Sequence, residues 1–372
     1  MKFAVHSSEL GRALGKVHTV IPARSTSPIL ENILFELVND VLTLTATDTQ
    51  VFLSVSLGVQ AKEDGRIAVP ARRILDTVRS LSDEDVRFDI DTTANRILLT
   101  TRNGEYSIMG ENAKEFPSPP PFKGSDHLQI GTPELKKIIH RTLFAVSADE
   151  LRPAMMGVLL QTRNETLRAV ATDGHRLVRV VHRPSRPSGL KRDIVIPAKA
   201  LLLLMRTMET GENTISLSET DVRIGFDRTV LTARLIEEAY PNYESVIPQD
   251  NDKDMVLQRD ALIASLRRVA LYASAATHQV RFDVTESSLR VSAQDADLGG
   301  EARESLPCTY TGTPLEIGFN STYLLDMLTH LDDEKVCFRF SAPNRAGIIS
   351  PAAPGDGADD IIMLVMPVRL TA

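Results

Sequence analysis

Apolar and polar positions along this chain alternate with two different periods, and the switch between them recurs. "FAVHSSELGRALGKVHTVI" opens with a short period-2 stretch and then places apolar residues at helical spacing. "LQIGTPELKKIIHRTLFAV" and "MVLQRDALIASLRRVALYA" repeat the switch. Each has Ser, Thr or Asp near the expected helix start, where such side chains can cap free backbone N–H groups. A second junction, strand entering helix, appears in "RIAVPARRIL", "DIVIPAKALL" and "LEIGFNSTYLL". Pro70, Pro197 and Asn320 mark it, 127 and 123 residues apart. Helices are therefore predicted over 7–20, 70–81, 133–146, 197–208, 258–272 and 320–331. Between them, "VRFDIDTTANRILLTT" and "VRFDVTESSLRVSA" alternate in the manner of antiparallel sheets with one buried face.

A third series keeps the same step. "LTATDTQVFL", "RAVATDGHRLV" and the weaker "RVSAQDADLGG" align on Asp48, Asp173 and Asp295, 125 and 122 residues apart. Three agreeing registers point to three copies of one α+β domain of about 120 residues, each with two helices packed on antiparallel sheets. The expected domains are 1–122, 128–248 and 254–372. "FPSPPPFKGSDH" and "IPQDNDKDM", rich in chain breakers or charge, are the expected boundaries.

Composition narrows the classes. No apolar run approaches the roughly 18 residues a membrane helix needs, so no membrane association is expected. "MKFAVHSSEL" has no apolar signal-peptide core, and Cys308 and Cys337 lack metal-type spacing; a reduced, cytoplasmic protein is the expectation. The formal charge of −7 is unevenly placed. The six helix windows hold 13 Lys and Arg against five Asp and Glu, a local excess of +8 that leaves −15 elsewhere. Helix propensity alone does not explain this, because Glu is as good a helix former as Lys or Arg, and the windows contain only Glu9 and Glu134. Helices sharing one basic surface would face a polyanion, with nucleic acid the obvious candidate. The absence of Trp disfavours a single-strand stacking platform.

Catalytic signatures are absent: no GxxxxGK[ST] loop, HExxH helix or GxSxG elbow occurs. Asp89/Asp91 read as solvated residues of an alternating strand, and Asp295/Asp297 as turn residues, rather than magnesium ligands. Asp173 and His175 could do acid–base chemistry, but no nucleophile is identifiable beside them. The chain is read as non-catalytic, with no cofactor and no metal. A small-molecule regulator or metal-free hydrolase built on the His175 turn stays open as the alternative.

Several stretches carry a resemblance: "RSTSPILENILFEL", "FAVSADELRP", "RAVATDGHRL", "YPNYESVIP", "GFNSTYLLDML" and the terminal "VMPVRL". Together they resemble, over essentially the whole chain, the bacterial DNA polymerase III beta subunit, the sliding-clamp family. The resemblance implies three clamp domains per chain and a head-to-tail homodimeric ring around double-stranded DNA. Its partners would be the replicative polymerase, the clamp loader and repair polymerases, which dock through short clamp-binding peptides. DNA-facing residues would then be Arg24, Arg72, Arg73, Arg79, Lys136, Lys137, Arg141, Lys199, Arg206, Arg267 and Arg268. The dimer contact falls on Tyr106 and Ile108 on one side and Leu271 and Tyr272 on the other. The partner-peptide pocket falls on Arg152, Met155, Thr172, Gly174, His175, Arg176 and Leu177, with Pro241 and Val246 as a wall. Leu364, Met366, Pro367, Val368 and Arg369 of the tail would close it. Two departures stand out: Pro153 and Ala154 occupy positions where the family commonly has aromatic residues, and the loop Ser350–Asp360 is longer than usual. Because all three copies keep the Asp, Asp173 is expected to form a turn. Only the second copy continues "GHRL", so those residues are read as a binding feature added to that turn.

Overall fold

The computed structural model of the chain describes all residues except 23, 125, 185–188, 296–298, 354, 356–358 and 371–372. Asp297 of the expected turn pair and part of the 350–360 loop lie outside the described residues. Six α-helices are present among those residues: α1 Ser7–His18, α2 Ala71–Arg79, α3 Thr132–Leu143, α4 Ala198–Thr207, α5 Arg259–Val269 and α6 Ser321–Thr329. Each lies within or one residue outside a window where the apolar period predicts one. Each buries a stripe at helical spacing, for example Leu10, Ala13, Leu14 and Val17 in α1, or Leu262, Ile263, Leu266 and Val269 in α5.

The expected caps are corrected at two of these helices. No side chain caps α1 or α5, which follow directly on strands through His6 and Gln258. The Ser7 hydroxyl bonds instead to Ser82 O and Glu84 N, tying the helix start to a neighbouring loop. The third copy's second junction does use a side chain as sequence rules suggest: Asn320 accepts from Thr322 N and Tyr323 N.

The sheets are antiparallel throughout, and the chain divides into two compact units. One comprises residues 1–133 and 199–235. It holds a five-stranded sheet that ends on Glu105–Met109, and an eight-stranded sheet running from Asp126–Gly131 to Gly65–Pro70. In the latter, Val51–Gly58 pairs with Thr229–Arg234, so strands of the first and second repeats form one continuous surface. The other unit comprises 134–198 and 236–372. Its nine-stranded sheet pairs Arg176–His182 with Asp360–Val365, joining second and third repeats in the same way, and a four-stranded sheet has Gly300–Pro307 at its edge. The contact-dense units therefore cut through the second repeat.

Candidate functional site

The "ATDGHRL" turn is built by its own side chains. Asp173 Oδ1 accepts from the backbone N–H of His175 and Arg176, both at 2.9 Å. The Thr172 hydroxyl donates to Arg176 O at 2.7 Å and accepts from Gly174 N. Gly174 sits at φ +90°, a region costly for residues with a Cβ, and an added Cβ would lie 2.9 Å from Arg152 Nη1. Arg152 therefore lies over the turn. The first copy repeats the skeleton: Asp48 Oδ1 accepts from Gln50 N and Val51 N, and the Thr47 hydroxyl bonds Val51 O and Thr49 N.

Arg176 is locked into the fold. Its Nε donates to Asp173, Nη1 to Asp326 at 2.6 Å and Nη2 to Phe144 O, while the guanidinium covers the rings of Phe144 and Tyr323. His330 stacks on Phe144, and burial holds its pKa below the usual histidine range. The expectation that Arg176 orients a ligand is thereby corrected: every terminal nitrogen has an internal partner. Phe144, Tyr323 and Asp326 are what sequence reasoning missed. Phe144 sat inside a quoted motif, but its contacts with Arg176 and His330 join segments far apart in sequence, which is not a local signal.

The remaining expected pocket residues divide into floor and rim. Leu177 and Leu364 face each other across paired strands, 2% and 3% exposed, in a cluster with Leu159, Val170, Ile348, Tyr243 and Ile247. They are floor. The 3-10 turn Tyr243–Val246 is anchored there by Tyr243, whose hydroxyl donates to Gln161, and this leaves Val246 55% exposed. Pro241, half-buried, leads into that turn. Met366, 42% exposed, continues the tail strand by donating its N–H to His175 O. Val368 N then bonds Gly318 O, where any Cβ on residue 318 would strike Leu370 and the Val368 carbonyl. Pro367 is half-buried and Arg369 exposed along this stretch; Met155 is half-buried below Arg152, and Thr172 is buried by its turn role. Exposed His175, Val246 and Met366 thus rim a buried apolar floor.

Comparison with known proteins covers the chain end to end. Residues 1–120, 129–242 and 244–369 match the N-terminal, central and C-terminal domain families of the DNA polymerase III beta subunit. The beta sliding clamp of Pseudomonas aeruginosa is 32% identical, with all of both chains covered, and that of Chlamydia muridarum is 30% identical over all of this chain and 99% of its own. The chain belongs to the beta sliding clamp family. Among solved clamps, a ligand-bound one from Pseudomonas aeruginosa aligns at TM-score 0.94 and 31% identity. One from Bartonella birtlesii bound to griselimycin aligns at 0.93 and 30%, each pair covering both chains fully.

In a clamp the exposed basic residues matter next. Arg72, Arg73 and Arg79 stand on the outer face of α2, with Arg72 3.9 Å from Asp76. Arg206 and Lys199 are exposed on α4, the latter ion-paired with Asp48. Arg267 and Arg268 end α5, Arg268 making two bonds to Glu304. Arg24 is exposed, as is Lys137, while Lys136 is half-buried. Arg24, Arg73, Arg79, Arg206 and Arg267 make no ion pair among the described residues. Arg141 is a correction. It is 5% exposed, bonded to Asp359 at 2.7 Å and Asp332 at 2.8 Å, so it is structural. Burial disfavours ionised Asp359, but the His182 hydrogen bond and the charges of His182, Lys137 and Arg141 outweigh it and hold its pKa low. The C-terminal end of the Ser350–Asp360 loop is thus pinned on an internal ion network.

The expected contact residues also separate. Glu105–Met109 is an edge strand with Tyr106 exposed, but Ile108 is 3% exposed and paired opposite Ile97, which corrects it to a core residue. Leu271 and Tyr272, in the 3-10 turn after α5, are exposed, Leu271 at 81%. Of the carboxylates weighed as metal ligands, Asp89 pairs with Lys2, and Asp91 accepts from Thr93 and Ala94.

Proposed function

We propose that two copies of this chain close head to tail into a ring around duplex DNA and hold polymerases there through short peptides, without catalysis or cofactor. As a member of its family the chain is a DNA sliding clamp that confers processivity. The observation that carries the reading is that Arg73, Arg79, Arg206 and Arg267, exposed on α2, α4 and α5, make no ion pair among the described residues in a chain of net charge −7. A slider must not grip its track; mobile guanidinium groups can meet phosphates without reading bases. The domains are taken as 1–122, 128–248 and 254–372. Ring closure is assigned to the edge strand bearing Tyr106 and to the surface bearing Leu271 and Tyr272, because unpaired strand edges and exposed apolar side chains favour self-association. Partner peptides are assigned to the rim of Gly174, His175, Val246 and Met366 over Leu177 and Leu364, an apolar floor with a few polar orienters. Once loaded onto nicked circular duplex, the protein should stay bound at moderate salt and run off when the circle is cut. Equal retention on circular and free-ended linear DNA refutes the ring.

A further inference from the structure

The face of the nine-stranded sheet that forms the apolar shelf turns cationic a short way along. Leu177, Arg179 and Val181 alternate onto that face of their strand, with Leu364, Ile362 and Asp360 opposite them. Ile362 packs on the shelf's apolar cluster, so the floor reaches the level of Arg179. By Val181, four residues and about 13 Å from Leu177, a cleft of about 580 Å³ has opened. Arg163, Arg168, Arg179 and Arg183 line it, together with Glu165 and Asp360. Arg168 gives one terminal nitrogen to Glu244, Arg179 one to Asp360, and Arg163 one to Asp193. Asp193 and Glu244 reach their partners from outside the lining, where four cations face two carboxylates. The exposed guanidinium of Arg183 makes no hydrogen bond or ion pair among the described residues.

The repeat does not require these arginines. At the four matching positions, 125 residues earlier, the first copy has Val38, Thr43, Ser54 and Gly58. Its strip is closed by hydroxyl pairs instead, Thr43 with Ser56 and Thr45 with Ser54. Cations found in one copy, starting where that copy's shelf ends, serve what the shelf holds. We infer that the cleft receives one acidic side chain of the peptide seated on the shelf, about four residues from its nearest apolar anchor. An extended segment advances about 3.3 Å per residue, which matches the 13 Å between floor and cleft. Arg183 supplies the fork for the carboxylate, a charge-assisted contact that a guanidinium makes well. Glu165 and Asp360 set the limit: they leave room for one added carboxylate and repel a longer acidic run. The inference deepens the peptide reading of the shelf around His175 and rests on it.

Fluorescence anisotropy on the intact protein tests it with variants of one peptide. The parent carries Gln, Leu and Phe anchors between uncharged Gly-Ser flanks. Two derivatives place a single Glu four residues before the Gln or four residues after the Phe, and each has a Lys counterpart. One Glu peptide, on the side that fixes the direction of the bound chain, should bind about threefold to fivefold more tightly than the parent, the scale of one exposed ion pair. Its Lys counterpart should bind no better than the parent. Arg183→Glu should abolish the gain of the Glu peptide and leave the parent's affinity unchanged. Equal affinity of the parent and both Glu peptides, or a gain that survives Arg183→Glu, overturns the inference and leaves the shelf standing. A parent peptide that does not bind refutes the shelf reading, and this inference with it.

Discussion

The turns Thr47–Phe52 and Thr172–Leu177 share a hydrogen-bond skeleton and almost nothing else. In each, the Asp accepts two backbone N–H bonds and the Thr hydroxyl closes the loop onto the carbonyl four residues on. In each, the fifth residue starts a strand that pairs with a strand of the following repeat. What differs is the side chains mounted on the frame. The first turn puts Val51, 2% exposed, where the second puts Arg176. The skeleton is what the repeat needs to fold, and the mounted side chains decide what each copy contacts. Structure and function are thus separable residue by residue within a six-residue stretch.

The largest break in the comparison comes from Arg176. It replaces an ordinary buried apolar residue with a cation that bridges the turn to Asp326 and Phe144 O. Arg176→Ala leaves Asp173 and Asp326 without their cation and should destabilise by about 2–3 kcal/mol, below the full loss of a buried pair because Asp326 is partly solvated. Urea unfolding measures it; Val51→Ala should cost only the transfer and cavity terms of two methyl groups, about 1–2 kcal/mol. A smaller loss for Arg176→Ala than for Val51→Ala would mean that the guanidinium cage contributes nothing.

The aspartates sharpen the comparison instead of breaking it. Asp48→Ala and Asp173→Ala each remove two backbone hydrogen bonds and should each cost about 1–2 kcal/mol. Asparagine keeps the accepting oxygen, so Asp48→Asn and Asp173→Asn should recover the backbone part of the loss in both copies, leaving only the weakened contacts to Lys199 and Arg176. Recovery in one turn alone would show that the common skeleton is only apparent.

Much of this was legible in the sequence, for a physical reason. Periodicity and turn chemistry are local, so the six helices and the role of Asp173 could be read from runs of ten or so residues. Arg141 and Ile108 were misread because their environment is not local. Arg141 belongs to a helix that also carries Lys136 and the exposed Lys137, yet it meets Asp359 and Asp332, each about 200 residues away. Ile108 lies in an edge strand, and only the register opposite Ile97 reveals that it faces inward. The same holds for Arg176: "GHRL" stood out because one copy alone has it, but sequence could not separate a residue that serves the fold from one that serves a ligand.

His175 is the smallest and most discriminating case. Its backbone serves the skeleton, since N–H donates to Asp173 and C=O accepts from Met366, and alanine preserves both. Its ring is exposed, 6.2 Å from the Tyr323 ring, and among the described residues no side-chain hydrogen bond holds it. His175→Ala should therefore leave urea unfolding unchanged while weakening a short peptide with a Gln followed by Leu and Phe anchors by about 1 kcal/mol, one lost hydrogen bond. Gln50→Ala, the matching change in the first turn, should leave that peptide's affinity untouched, as read by fluorescence anisotropy. If His175→Ala instead lowered stability and spared affinity, the ring would belong to the frame, and the binding role would have to move to Val246 and Met366.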